Sequence, residues 1–207
     1  VSERSFSQWL RERCADEWDA VVNHPFATAI IEGRADMRRY LEQDFQFVDS
    51  FTALLGAAVA SADTLEARVP YARFLGQVAT TEEKTYFHRA LAELGGTTTP
   101  RLEPATSAFR NLMDEVRRSQ DYPSIVAVLC VAEWTYLGWA SRAAEPYTAS
   151  WIHREWIELH EGPAFREWVA FLRGELDRLD EAQREGLEDT FRRAVELERG
   201  FFDMAAG

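Results

Sequence analysis

Three carboxylates occupy positions where a helix face turned inward should be apolar. Asp44 lies in the stripe Tyr40, Leu41, Asp44, Phe47, Val48, Phe51; Glu133 lies in Val126, Leu129, Cys130, Glu133, Tyr136, Leu137; Glu198 lies in Phe191, Ala194, Val195, Glu198, Phe201, Phe202. Each stripe follows the i, i+3, i+4, i+7 spacing of one helix face. A carboxylate carried into a core costs several kcal/mol unless it is paired or hydrogen-bonded. Three in one small protein point to a polar pocket inside a helical bundle. Each acid also has an aromatic ring three residues on, Phe47, Tyr136 and Phe201 respectively, about one turn away on the same helix. Aromatic walls with a few polar groups suit a flat heteroaromatic ligand bearing amine or ring-nitrogen groups. Desolvation raises a carboxylate's pKa, which suits general acid or base work.

The elements that must position these acids read as helices almost throughout. Helical spacing runs through residues 4–22, then a short segment from Pro25 to Glu32 closed by Gly33. A long helix over 36–61 carries Asp44. Another spans 64–94, with a kink expected near Pro70 and a stop at Gly95-Gly96. Thr97–Pro104 is the clearest loop. A helix over 105–119 follows, and Tyr122-Pro123 opens the helix carrying Glu133, with its end expected at Glu145-Pro146. Helices over 147–160, 163–179 and 181–205 complete the set. No stretch alternates apolar and polar residues for long enough to read as a strand. The acids lie on both sides of the Thr97–Pro104 loop, so a shared pocket requires one compact all-α bundle, one domain over residues 1–207.

The 207 residues are 46% hydrophobic, enough for one substantial core, and include seven Trp and thirteen Phe. A net charge of −12 and a pI near 4.8 argue against nucleic acid, an anionic membrane surface or a polyphosphate as main partner. Lys84 is the single lysine, a bias that fits either a GC-rich coding sequence or adaptation to high salt. Cys14 and Cys130 form no metal or disulfide framework and read as buried free thiols. No leader-like opening is present and no apolar run reaches membrane-spanning length, so a cytoplasmic protein with no membrane partner is expected.

The segment Tyr40-Leu41-Glu42-Gln43-Asp44-Phe45-Gln46-Phe47 resembles the Y-L-x-Q-D-x-x-Y/F segment of the TenA/THI-4 family, the thiaminase II relatives. The likeness extends upstream through His24-Pro25-Phe26 and Glu32-Gly33. Trp134-Thr135-Tyr136 is similar to the family's W-x-Y segment, Trp156-Ile157 to its W-I pair, and Glu198-Arg199-Gly200-Phe201-Phe202-Asp203-Met204-Ala205 to its terminal E-x-x-F-W/F-D-M-A. The ordered set spans nearly the whole chain. The resemblance implies a heme-oxygenase-like all-helical bundle, assembled as a homodimer or homotetramer, that takes a small aminopyrimidine and needs no metal or other cofactor. It implies that Asp44 hydrogen-bonds the aminopyrimidine, that Phe47 stacks on it, that Glu198 shuttles a proton to the leaving group, that Tyr136 orients the pocket and that Phe201 forms a wall. Phe109 stands where many relatives are expected to carry a tyrosine, which puts one substrate hydrogen bond in question.

One departure matters most. Thiaminase II proteins carry a nucleophilic cysteine four residues before the tyrosine matched by Tyr136, and here that position is Ala132. Cys130 lies roughly 200° around the helix from Ala132, at ~100° per residue, and cannot take its place. Glu133-Trp134-Thr135-Tyr136 resembles instead the E-x-x-Y arrangement of the cysteine-lacking branch, often called TenA_E. That branch is associated with hydrolysis of 4-amino-5-aminomethyl-2-methylpyrimidine or its N-formyl derivative in thiamin salvage. Glu198 and Glu133, with Tyr136, are then the expected catalytic residues. Other readings stay open on sequence: thiaminase II chemistry through Cys130 in a shifted register, an aminopyrimidine-binding or regulatory protein without turnover, and a di-metal oxidase. The last would draw on Glu82, Glu83, His88, Glu133, His153 and His160, but no Glu-x-x-His pair supports it. Trp151, Trp156, Trp168 and Phe171 read as core, with an oligomer interface as the alternative.

Overall fold

The computed structural model describes residues 4–144 and 150–207, and the side chains of these except 81–84. Every regular element among them is helical. In chain order these are α1 Phe6–Arg13, α2 Ala15–Val22, α3 Pro25–Ile31, α4 Met37–Asp44, α5 Phe47–Ser61, α6 Leu65–Gln77, a π-helical stretch Val78–Phe87, α7 His88–Leu94, α8 Pro104–Ser119, α9 Tyr122–Ala140, α10 Trp151–Leu159, α11 Pro163–Asp177, α12 Glu181–Arg184 and α13 Leu187–Ala206.

The local signals behind these elements are ordinary ones. Ser5, Thr64 and Asp121 accept hydrogen bonds from the first-turn amides of Gln8, Ala67 and Ser124. Pro25, Pro104, Pro123 and Pro163 sit in first turns, where the missing N–H has no helical partner to lose. Asp180 and Gln183 form a reciprocal capping box on α12.

Several expected boundaries are corrected. The helix expected over 4–22 breaks at Cys14, whose amide reaches only to Arg11 O. The helix expected over 36–61 breaks after Asp44 through short-range bonds from Gln46 N to Gln43 O and from Val48 N to Phe45 O. Gln46 Nε2 donates to Glu42 O and Thr98 O there, so a side chain satisfies what the helix ladder leaves open. Pro70 is taken into α6 and the irregularity falls at Val78–Phe87 instead. The last expected helix divides into α12 and α13 at Gly186, which adopts φ +74°. The helix carrying Glu133 stops at Ala140; Glu145-Pro146, expected to end it, lies outside the described residues, as do 147–149 of the next expected helix.

At the centre stands α9, with all but a few of its residues buried. It is not the amphipathic helix the Glu133 stripe implied but one buried on almost every face. By length and composition it is apolar enough to cross a membrane, contrary to the sequence reading, and here 78% of its apolar window is covered by other helices. Around it, α13 and α11 pack most extensively, with α5, α2 and α8 closing the remaining sides. The loop 97–104 is held to α4 by Gln43, which is 3% exposed: its Nε2 donates to Arg101 O at 2.9 Å, and its Oε1 accepts from Glu103 N and Thr106 Oγ1.

A buried polar cluster ties together the three helices α6, α9 and α11. Tyr71 and Tyr122 hydroxyls lie 3.0 Å apart, Tyr122 donates to Glu175, and Arg178 bridges Glu175 at 2.5 Å and Asp63 at 2.7 Å. Removing an acceptor from such a cluster leaves a buried donor unsatisfied, at ~1–3 kcal/mol. Glu175→Leu is expected to lower the urea midpoint by an amount equivalent to about 1–3 kcal/mol with the m-value unchanged. An unchanged midpoint would show that the cluster does not hold these helices.

Candidate active site

A cavity of about 90 Å³ lies beside α9. One water needs ~10–15 Å³ on this scale, so there is room for several waters or one small ring. Asp44, Glu133 and Glu198 all line it. Asp44 arrives on the last turn of α4, Glu133 from mid-α9 and Glu198 from the inward face of α13. The cavity therefore draws on helices from both sides of the 97–104 loop. The rest of its wall is largely apolar: Phe47, Val48 and Phe51 of α5, Phe74 of α6, Phe109 and Met113 of α8.

The acids differ in their surroundings. Asp44 Oδ1 accepts from the Tyr136 hydroxyl at 3.4 Å. Behind it runs a chain of donors: Trp156 Nε1 donates to Tyr40 Oη at 3.2 Å, and Tyr40 Oη lies 2.8 Å from Tyr136 Oη. With Tyr136 donating to Asp44, each hydroxyl gives its hydrogen toward the carboxylate. Burial, reinforced by neighbouring negative groups, keeps both tyrosines protonated well above the usual phenol range. Glu133 Oε2 accepts from Trp168 Nε1 at 3.0 Å. Glu198 is 2% exposed and receives no hydrogen bond from any described residue. Desolvation, then the charges of Asp44 and Glu133, push its pKa well above the ordinary carboxylate value of 4.5.

Phe47 stands between Phe109 and Phe201, edge-to-face with both at centroid distances of 5.5 and 4.9 Å. Phe47 and Phe109 line the cavity; Phe201, expected as a wall, is fully buried one layer behind Phe47. Ala132 lines the cavity at the position discussed for a nucleophile. Cys130 does not line it; the thiol is fully buried, and burial pushes its pKa upward. Among the described residues no group of three or more His, Cys, Asp and Glu is placed to hold a metal ion, and the side chains of Glu82 and Glu83 lie outside the described set.

The sequence reading missed two polar participants. His160, treated there as a candidate metal ligand or a satisfied histidine, lines the cavity. Its Nδ1 hydrogen-bonds Trp156 O at 2.7 Å and must donate there, and burial pushes its pKa down to about 4. The ring is therefore neutral, with Nε2 as its bare acceptor. Trp156 and His160, spaced i and i+4 at the end of α10, were a signal available in the sequence. Trp168, read as core or interface, carried no local signal, because its partner Glu133 is 35 residues away.

A model of the TENA/THI-4/PQQC family matches residues 11–207. The chain belongs to this family. Among its relatives, the aminopyrimidine aminohydrolase of Halalkalibacterium halodurans is 26% identical over 215 residues, covering 97% of this chain and 95% of that protein. The aminopyrimidine aminohydrolase of Bacillus subtilis is 24% identical, covering 89% and 79%. The crystal structure of a TenA homologue from Pyrococcus furiosus superposes with a TM-score of 0.86 at 18% identity over 97% of this chain and 99% of that one. The fold is thus the heme-oxygenase-like helical bundle shared by TenA homologues, as the sequence implied.

For this TenA-family chain, Glu198 links protonation to stability. Its folded pKa lies above 4.5, so between 4.5 and that higher value the folded chain holds a proton that the unfolded chain has released. Stability contributed by Glu198 is complete below that window and falls as pH rises through it. Glu198→Gln, which stays neutral, is expected to match the wild type below about pH 4.5 and to become increasingly more stable above it, by ~1.4 kcal/mol per unit of raised pKa. Parallel stability–pH curves for the two proteins would refute the assignment.

Proposed function

We propose that this chain hydrolyses an exocyclic C–N bond of a small aminopyrimidine, with 4-amino-5-aminomethyl-2-methylpyrimidine and its N-formyl derivative as the candidate substrates in thiamin salvage. The observation that carries the reading is the convergence of Asp44, Glu133 and Glu198 on one aromatic-walled cavity with Ala132 in its wall. The names of the two curated relatives support the same reaction class. The cavity's size favours one ring over a two-ring ligand.

In this reading Asp44, braced by Tyr136, accepts from the amidine edge of the pyrimidine. Phe47 and Phe109 hold the ring faces. A water enters beside Ala132, and Glu133 takes its proton as the oxygen attacks the carbon bearing the leaving nitrogen. Glu198, whose burial beside two other acids favours its protonated form, gives its proton to that nitrogen as the C–N bond breaks. The aminomethyl substrate yields the hydroxymethyl compound and ammonia; the formyl substrate yields formate and the free amine. The acid and base are distinct groups whose environments drive their proton affinities apart.

Turnover of one of the two pyrimidines by purified protein is the direct test, read as ammonia or formate release. Glu198→Gln is expected to lower kcat at least about a hundredfold, and Asp44→Asn to raise KM at least about tenfold through loss of a charge-assisted hydrogen bond. Cys130→Ala is expected to retain activity. Absence of both turnover and binding for the two compounds would sink the proposal, and an inactive Cys130→Ala protein that still folds would return the nucleophilic reading.

A further inference from the structure

Three carboxylates around one small cavity do not all keep a negative charge, and the geometry around Trp168 bears on how Glu133 keeps its own. The indole N–H of Trp168 donates to Glu133 Oε2 at 3.0 Å inside the protein. The donor is fixed from several sides. Phe74, itself a cavity wall, stacks on the Trp168 ring at 4.3 Å and 18°; Phe171 lies near-parallel at 5.7 Å; Tyr71 meets it edge-on at 5.7 Å and 90°. Tyr71 is in turn held through its hydroxyl by Tyr122, which donates to Glu175. The indole cannot swing away without dismantling a packed aromatic cluster and a buried polar one.

We propose that Trp168 is a positioning residue, whose N–H holds Glu133 as an ionised carboxylate, alongside Asp44, and leaves Glu198 as the protonated one. The inference rests on the hydrolytic reading and adds the device that divides acid from base. A hydrogen bond donated to a carboxylate favours its charged form, and burial without a donor favours the neutral form. Asp44 has the Tyr136 hydroxyl, Glu133 has the Trp168 indole, and Glu198 has no donor among the described residues. The described groups facing Glu133 that can be named keep this order. Asp44 of α4 and Glu198 of α13 are acids; Tyr136 on its own helix stays protonated; His160 after α10 is neutral. Cys130 on its own helix stays a thiol, and Arg173 of α11, over the Trp134 ring at 4.2 Å, adds positive charge on that side. Trp168 is not among the residues that line the cavity, so it acts through Glu133 and not on the ligand.

The test is Trp168→Phe, which keeps a ring against Phe74 and removes the N–H. Loss of the bond raises Glu133's proton affinity, so the base ionises at higher pH. The expected result is a kcat lower by about ten- to a hundredfold, the scale of one hydrogen bond to a charged group, with KM within about twofold and the acid limb of kcat/KM moved up by about one pH unit. A lower rate with an unmoved acid limb, or an unchanged rate, overturns the proposal. A second measurement needs neither substrate nor a folded Trp168 variant. Carboxyl-carbon NMR of the wild-type protein, assigned by the signals lost in Glu133→Gln and Glu198→Gln, is expected to show Glu133 ionising at lower pH than Glu198. The reverse order overturns the proposal. A fully active Glu133→Gln protein, with that order observed in the wild type, overturns the hydrolytic role of Glu133 and leaves the Trp168 assignment standing.

Discussion

The constraint on which the rest depends is the burial of Glu198 without a hydrogen-bond donor among the described residues. A lone ionised carboxylate in such a place is costly, so burial pushes the group toward its neutral form. Two further carboxylates face the same cavity, and each has a donor of its own: a tyrosine hydroxyl for Asp44, an indole for Glu133. The site is built around an unequal distribution of donors. In the proposed hydrolysis the inequality is chemically useful, because it gives an acid on α13 and a base on α9, both lining the same cavity, different proton affinities.

Holding that inequality is the task of the aromatic side chains. The donor chain to Asp44 starts at Trp156 and passes through Tyr40 and Tyr136, which contact Phe26, Phe201 and Phe202. The donor to Glu133 sits on Phe74, and Phe47 is braced from behind by Phe201. These rings are bulky, nearly rigid and apolar, so they set the orientation of the polar atoms while excluding water. High aromatic content in this chain is thus tied to the polar site as much as to the core.

Sequence patterning revealed the acids unevenly. Helix α13 reads true: Phe191, Ala194, Val195, Glu198, Phe201 and Phe202 are all buried on one face, because that helix has solvent on its other side. The stripe argument for Glu133 reached a cavity residue on a helix that has no solvent face, where periodicity carries little information. The break after Asp44 was invisible because what stabilises it is distant: Gln43 and Gln46 reach to Arg101, Glu103 and Thr98 across the chain. Trp168 was hidden for the same reason, since its partner Glu133 lies 35 residues away. Motif order supplied the fold and family; long-range packing supplied the chemistry around Glu133.

The alanine at position 132 gives this arrangement its logic. A thiolate there would supply the attacking atom itself, and the neighbouring acids would need only to manage its proton. In the proposed hydrolysis, with a methyl group in the cavity wall, the attacking atom comes from solvent, and a neighbouring group must hold it and take its proton. The residue next in sequence, Glu133, projects into the same cavity with one oxygen tied to Trp168. A base that is free to rotate or to share the proton of Glu198 would serve poorly, since the two carboxyls would exchange roles as the pH moved. Anchoring one of them through an immobilised indole removes that ambiguity. In the proposed reaction the alanine at 132 and a fixed base at 133 are two halves of one requirement, and the hydrogen bond from α11 to α9 is where the fold meets it.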